Sequence, residues 1–155
     1  MTRVALTDDV RAEARPTLLY LVKQVELAVR ARLDEALRPV PVTALQYTAL
    51  TVLERRSDLS TAQLARNAFV TDQSAADMVR VLEERGLIRR VPDPEDRRRR
   101  VLRLTDEGRE LLDRVRGDVD EVETQMLSAL TTAEAEALHR YLTTCRAALA
   151  SAPPH

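Results

Sequence analysis

At 155 residues, with 45% hydrophobic side chains, 3% aromatics and no tryptophan, the chain is sized for one domain with a Leu, Val and Ala core, a composition that favours helices. The formal charge of −1 excludes a wholesale polyanion coat, and the single cysteine, Cys145, excludes an internal disulfide framework. No stretch reaches the length of a membrane span and no apolar leader region opens the chain, so a soluble cytoplasmic protein is expected.

In chain order, the first helix is predicted from near Pro16 to about Leu37, on an apolar stripe of Leu18, Val22, Val25, Val29, Leu33 and Leu37. Pro16 suits its first turn, and the run from Arg38 to Pro41 ends it. Thr43 with Gln46, Ser60 with Gln63 and Thr131 with Glu134 each fit the capping box, in which a hydroxyl and a side chain three residues on satisfy each other's orphan amides. They open helices predicted at 43–56, 61–67 and 132–150, the first with Leu45, Ala49, Val52 and Leu53 inward. A further helix at 72–85 follows a short turn, and Gly86 stops it.

The period then changes. Residues 87–91 and 99–104 alternate as strands do, and the turn-rich stretch 92–98 joins them. Thr105 reads as the N-cap of a long helix to about Leu130, and the tail 151–155 is expected to fray. The fold class is therefore mainly α with a small β-hairpin: a winged helix-turn-helix flanked by long helices.

Charge follows this organisation. Residues 60–103 hold ten basic and seven acidic side chains, whereas 104–155 hold five and ten. All the basic residues but Lys23 are arginine, the side chain suited to bidentate phosphate contacts. A basic middle in a near-neutral chain points to one local anion-binding face.

A helix following a short turn fits the DNA major groove, where base edges differ in donors and acceptors. Its polar positions are Thr71, Gln73, Ser74, Asp77 and Arg80, while Met78, Val79 and Leu82 belong to the core. Ala75 suits either close packing or contact with a thymine methyl. The ribbon tip reads PDPEDRRRR over 92–100, three acids followed by four arginines. Its plain reading is a solvated loop whose charges discourage edge pairing. Its sharper reading is that Asp93, Glu95 and Asp96 shape and neutralise the loop while Arg97 and Arg98 face phosphate.

Catalysis, metals and cofactors find little support. His139 and His155 are the only histidines, no Cys/His cluster exists, and three glycines cannot build a phosphate cradle. No cofactor is expected.

The segment LEERGLIRRVPDPEDRR at 82–98, with LRLTDEG at 102–108, resembles the signature of the MarR (multiple antibiotic resistance regulator) family. That signature is approximately LExxGLΦxRxxDPxDRRxxxΦxLTxxG, Φ being apolar, and the agreement has no gap. The resemblance implies a homodimer that binds double-stranded DNA specifically, with 1–42 and 106–155 as the dimerisation region and 43–105 as the reading region of one cooperative unit. A two-fold dimer would read a pseudo-palindromic operator with half-sites about one helical turn apart. It further implies a repressor whose DNA affinity falls when a small aromatic or anionic effector binds between the two regions. Tyr20, Tyr47 and Arg55 are candidate lining residues, although a core role for Tyr47 is favoured.

On the family's spacing, seven residues before Thr105, Arg98 is the wing-tip arginine for the minor groove and Arg97 the second choice. Asp96 would orient Arg98 by a charge-assisted bond. Asp77 and Val81 depart from the family, which often places a basic or polar residue and an arginine there; an acid repels phosphate yet can accept from cytosine N4. Cys145, in line with Leu138, Tyr141, Leu142 and Leu149, reads as a buried structural cysteine rather than an oxidant sensor. A reading of another class is a helical dimeric module that binds small molecules, with weak or no specific DNA binding. Binding to a specific duplex discriminates between them.

Overall fold

The computed structural model describes residues 14–68 and 70–150. The expected tail at 151–155 lies outside them. Helix α1 spans Leu18–Ala36; Thr17, not Pro16, sets its start, because the Thr17 hydroxyl accepts the Tyr20 amide at 3.2 Å. Helix α2, Ala44–Arg55, opens on the complete Thr43–Gln46 capping box. The same reciprocal pair of bonds forms between Ser60 and Gln63 ahead of α3, Thr61–Ala68, and between Thr131 and Glu134 ahead of α6, Thr132–Ala150.

Helix α4 covers Asp72–Glu84 and ends in a Schellman motif: Gly86, at φ +73°, donates to Glu83 O, and Leu87 donates to Leu82 O. Buried Leu82 and Leu87 supply the apolar contact that accompanies this turn. Strands β1, Ile88–Pro92, and β2, Arg100–Leu104, pair antiparallel from Ile88↔Leu104 to Pro92↔Arg100. Leu59 adds a single bridge to the outer edge of β2, its carbonyl accepting from Leu102 N at 2.8 Å. Helix α5 runs Asp106–Leu127, three residues short of the expected end, because the chain turns at Ser128 to enter the next capping box.

One core joins α2, α3, α4, the hairpin and the first half of α5. Leu50, Leu64, Leu82, Ile88, Leu102, Leu111 and Leu112 are all but inaccessible within it. One of the apolar positions read from the sequence differs: Leu45 is exposed rather than inward. Val101 is buried along with Leu102, so β2 is covered on both faces.

The long helices contrast with this core. No residue of α1 or α6 is buried. Along the α1 stripe, Leu18, Val22 and Val25 are exposed, and only Leu37, its C-cap, reaches the core. Cys145 is likewise exposed in the single chain, as are Tyr141, Leu142 and Leu149 beside it.

Candidate nucleic-acid interface

The turn between α3 and α4 presents α4 with its apolar side down. Ala75, Met78, Val79 and Leu82 are buried, so Ala75 packs and is closed to a base methyl. Thr71, Gln73, Ser74, Asp77 and Arg80 are exposed together, with Asp72 and Ala76 between them. Thr71 is the N-cap: its hydroxyl accepts the Ser74 amide at 3.1 Å and donates to Ser74 Oγ at 3.0 Å. Both hydroxyls thus sit where the helix points its free amides and the positive end of its dipole, the natural seat of a phosphate.

Asp77 links two other members of this face. Its Oδ1 accepts from Gln73 Nε2 and from Arg80 Nη2, each at 3.3 Å. One exposed carboxylate oxygen therefore holds the two strongest side-chain donors of α4 in a fixed row. Such long bonds are weak, and a base edge or phosphate can displace them.

The wing is built differently from the sequence expectation. Asp96 accepts the backbone amide of Arg98 at 3.1 Å, not its guanidinium. Asp93 does the same for the Glu95 amide at 3.0 Å, and Asp93 N and Arg99 N close the loop onto Arg99 O and Asp96 O. The reason is local geometry: an Asp side chain reaches the amide two residues on more readily than a splayed side chain there. Asp93 and Asp96 shape the tip through its amides, and no acid there forms an ion pair among the described residues. Arg97, Arg98, Arg99 and Arg100 form no ion pair among the described residues and are exposed.

Two other hairpin arginines are occupied. Arg90 pairs with Glu83 at 3.4 Å, and Arg103 with Asp58 at 2.7 Å. Asp58, which holds a positive φ of 64°, and that bond keep the Arg103 guanidinium above its usual range and fasten the α2–α3 connection to the wing. Arg116 of α5 bonds Glu54 of α2 at 2.8 Å and Asp113 at 3.1 Å. These long-range ties escaped the sequence reading, because partners 45 or 62 positions apart leave no periodic signal.

The base of the wing explains the LTxxG part of the motif. Thr105 Oγ1 donates to Gly86 O at 2.6 Å and accepts from Gly108 N at 3.1 Å, while Thr105 N donates to Leu87 O. A Cβ on Gly108 would stand 2.3 Å from Leu87 O, so only glycine lets α5 start this close to β1.

Of the candidate effector residues, one lies on α1 and two on α2. Tyr20 is exposed on α1; Tyr47 is half-buried against the core, its phenol pushed up mainly by burial. Arg55 lines a separate cleft. A different cleft of about 530 Å³ lies between α1 and α2, lined by Val29, Leu33, Ala44, Leu45 and Thr48, with Glu26, Arg30 and Asp34 also on its walls.

Comparison with known proteins decides the family. A family profile described as MarR family matches residues 40–99. The HTH-type transcriptional repressor Rv2887 of Mycobacterium tuberculosis is 31% identical over 123 residues, covering 79% of this chain and 88% of that protein. The chain belongs to the MarR family. Among solved structures, the transcriptional repressor CouR bound to a 23-mer DNA duplex matches with a TM-score of 0.74 at 29% identity, over 84% of this chain and 92% of that one. CouR from Rhodococcus jostii RHA1 bound to p-coumaroyl-CoA gives 0.76 at 25%, over 91% and 94%. Membership makes this MarR-family chain a winged helix-turn-helix, DNA-binding transcription regulator. No helix among the described residues is long and apolar enough to cross a membrane.

Proposed function

We propose that this chain is a homodimeric repressor that acts in the cytoplasm by binding rather than catalysis, and that a small aromatic or anionic effector releases it from a pseudo-palindromic operator. The observation that carries the reading is the pairing of an exposed polar face on α4 with a wing tip whose four adjacent arginines have no acid partner among the described residues. We assign Thr71, Gln73, Ser74, Asp77 and Arg80 to the major groove. Arg98, with Arg97 beside it, takes the minor groove, where negative potential attracts guanidinium, and Asp96 positions Arg98 through the backbone.

The dimerisation region comprises 1–42 and 106–155, and the reading region 43–105. Their boundary falls at the start of α5, whose first half lies in the core of the reading region, which supports one cooperative unit. The two relatives named support repression and response to a small molecule: one is a transcriptional repressor, and CouR has been captured both on DNA and with p-coumaroyl-CoA. For the effector we favour the α1–α2 cleft over the set Tyr20, Tyr47 and Arg55, because it offers an apolar floor between the two regions.

The test is a titration of DNA from upstream of the protein's own gene, at several salt concentrations. A specific, salt-weakened complex of two chains per site is expected. Absence of binding at low salt overturns the reading in favour of a DNA-independent small-molecule module.

A further inference from the structure

Four arginines converge on one cleft between α2, α3 and α6. Arg55 and Arg56 end α2, Arg66 lies in the last turn of α3, and Arg146 lies near the end of α6. Val52, Asn67, Ala147 and Ala150 complete a cleft of about 670 Å³ that no acid lines among the described residues. Arg56 donates to Asn67 Oδ1 at 3.1 Å and so bridges α2 to α3. Arg55, Arg66 and Arg146 form no ion pair among the described residues.

Seven other arginines, Arg30, Arg32, Arg80, Arg90, Arg103, Arg109 and Arg116, each stand beside a carboxylate, whereas those of the wing tip, like the three here, do not. Guanidinium groups that share a concave surface repel one another, and the repulsion grows as water is excluded. An arrangement that gathers them without a neutralising acid is matched to an anion from outside.

The chemistry narrows that anion. A carboxylate has two oxygens and is saturated by one or two guanidinium forks, whereas a phosphate presents three oxygens and close to two charges. Three unengaged forks around a small apolar floor of Val52, Ala147 and Ala150 fit the latter. We propose that this cleft binds a phosphorylated small molecule, its phosphate held by Arg55, Arg66 and Arg146. Duplex DNA is the other source of phosphate, but α6 walls one side of the cleft and lies outside the helix-turn-helix. A ligand seated there ties α6 to the helix that leads, within five residues of Arg66, to the N-cap of α4.

Pyrophosphate is a suitable probe, titrated calorimetrically into the full chain in low-chloride buffer without DNA. One saturable site per chain is expected, with Arg66→Gln and Arg146→Gln each weakening it about tenfold, the effect of one lost charge-assisted bond. Arg114→Gln, which removes the same charge from an exposed position of α5 outside the cleft, should leave it unchanged. No saturable binding, or equal weakening by Arg114→Gln, overturns the proposal. In a second arm, Arg146→Gln is titrated with operator DNA without pyrophosphate. Unchanged affinity is expected; a loss matching one phosphate contact assigns the cleft to the DNA backbone instead. The first arm contains no DNA, so it stands or falls independently of the operator reading.

Discussion

On the proposed reading, Arg98 and Asp77 should act on DNA affinity with opposite signs. At the wing tip the Arg98 amide is fixed by Asp96 while its guanidinium is left without an acid partner among the described residues. Replacing Arg98 with Ala removes a cation from a loop that keeps its shape, so affinity should fall for every duplex and the log–log salt slope should flatten by about one. Fluorescence anisotropy at several salt concentrations checks this, and an unchanged slope would exclude Arg98 as a phosphate neighbour. Asp77 holds back the same electrostatic attraction on α4, because its Oδ1 occupies Gln73 and Arg80 at once. Asp77→Asn removes that charge and frees Arg80 for phosphate. Affinity for arbitrary sequence should rise and discrimination should narrow; weaker binding to random duplex would show instead that the Gln73–Asp77–Arg80 row is needed for docking at all.

At the scale of elements, two glycines of α5 predict opposite stability changes from the same substitution. A helix-interior Gly→Ala ordinarily stabilises by up to ~1 kcal/mol. Gly117 is exposed with no atom within 4 Å of a built Cβ, so Gly117→Ala should gain about that much. At Gly108 the Cβ meets a backbone oxygen at 2.3 Å and Leu104 Cδ1 at 2.6 Å, so Gly108→Ala should lose ~1–3 kcal/mol through displacement of α5 from the hairpin. Urea unfolding of both variants decides it; two changes of the same sign would mean that the motif glycine is not a packing constraint. The α6 cap has a pH signature as well. Glu134 accepts the Thr131 amide, and this bond lowers its pKa below the ordinary carboxylate range. Its contribution is therefore present above the ordinary carboxylate value and lost as pH falls through the lowered one. The Thr131 amide resonance should titrate with a midpoint below that of an exposed glutamate and stop titrating in Glu134→Gln; a midpoint like that of an exposed glutamate would contradict the bond. These caps were legible in the sequence because they are local: Thr43–Gln46, Ser60–Gln63 and Thr131–Glu134 each need only a three-residue spacing. The wing was legible through its turn residues and family spacing, but the Asp96 contact was not, since composition does not distinguish a carboxylate that binds an amide from one that binds a guanidinium.

For the whole molecule the open question is what covers α1 and α6, where sequence periodicity shows an apolar stripe without showing which chain it faces. In the single chain Leu18, Leu19, Tyr141 and Leu149 are 78, 83, 65 and 77% exposed. Contiguous exposure of this kind is rare on monomeric proteins and marks an interface. Cys145, which read as buried, stands exposed here on the α6 face that the proposed dimer would cover. Arg55 illustrates the complementary limit, since its gathering with Arg66 and Arg146 depends on how three helices meet, which no spacing encodes. The dimer is tested by placing charge on the stripe, with Val22→Asp on α1 and Leu142→Asp on α6. Neither residue belongs to the core, so circular dichroism should retain the helices while sedimentation shows the mass halved. A separated lobe loses its partner's effective concentration, and operator affinity should drop by about two to four orders of magnitude. A half-site duplex should instead bind the variants and the parent protein alike. Persistence of the dimer in both variants, or a monomer that holds the full operator undiminished, would remove the two-fold reading on which the pseudo-palindrome rests.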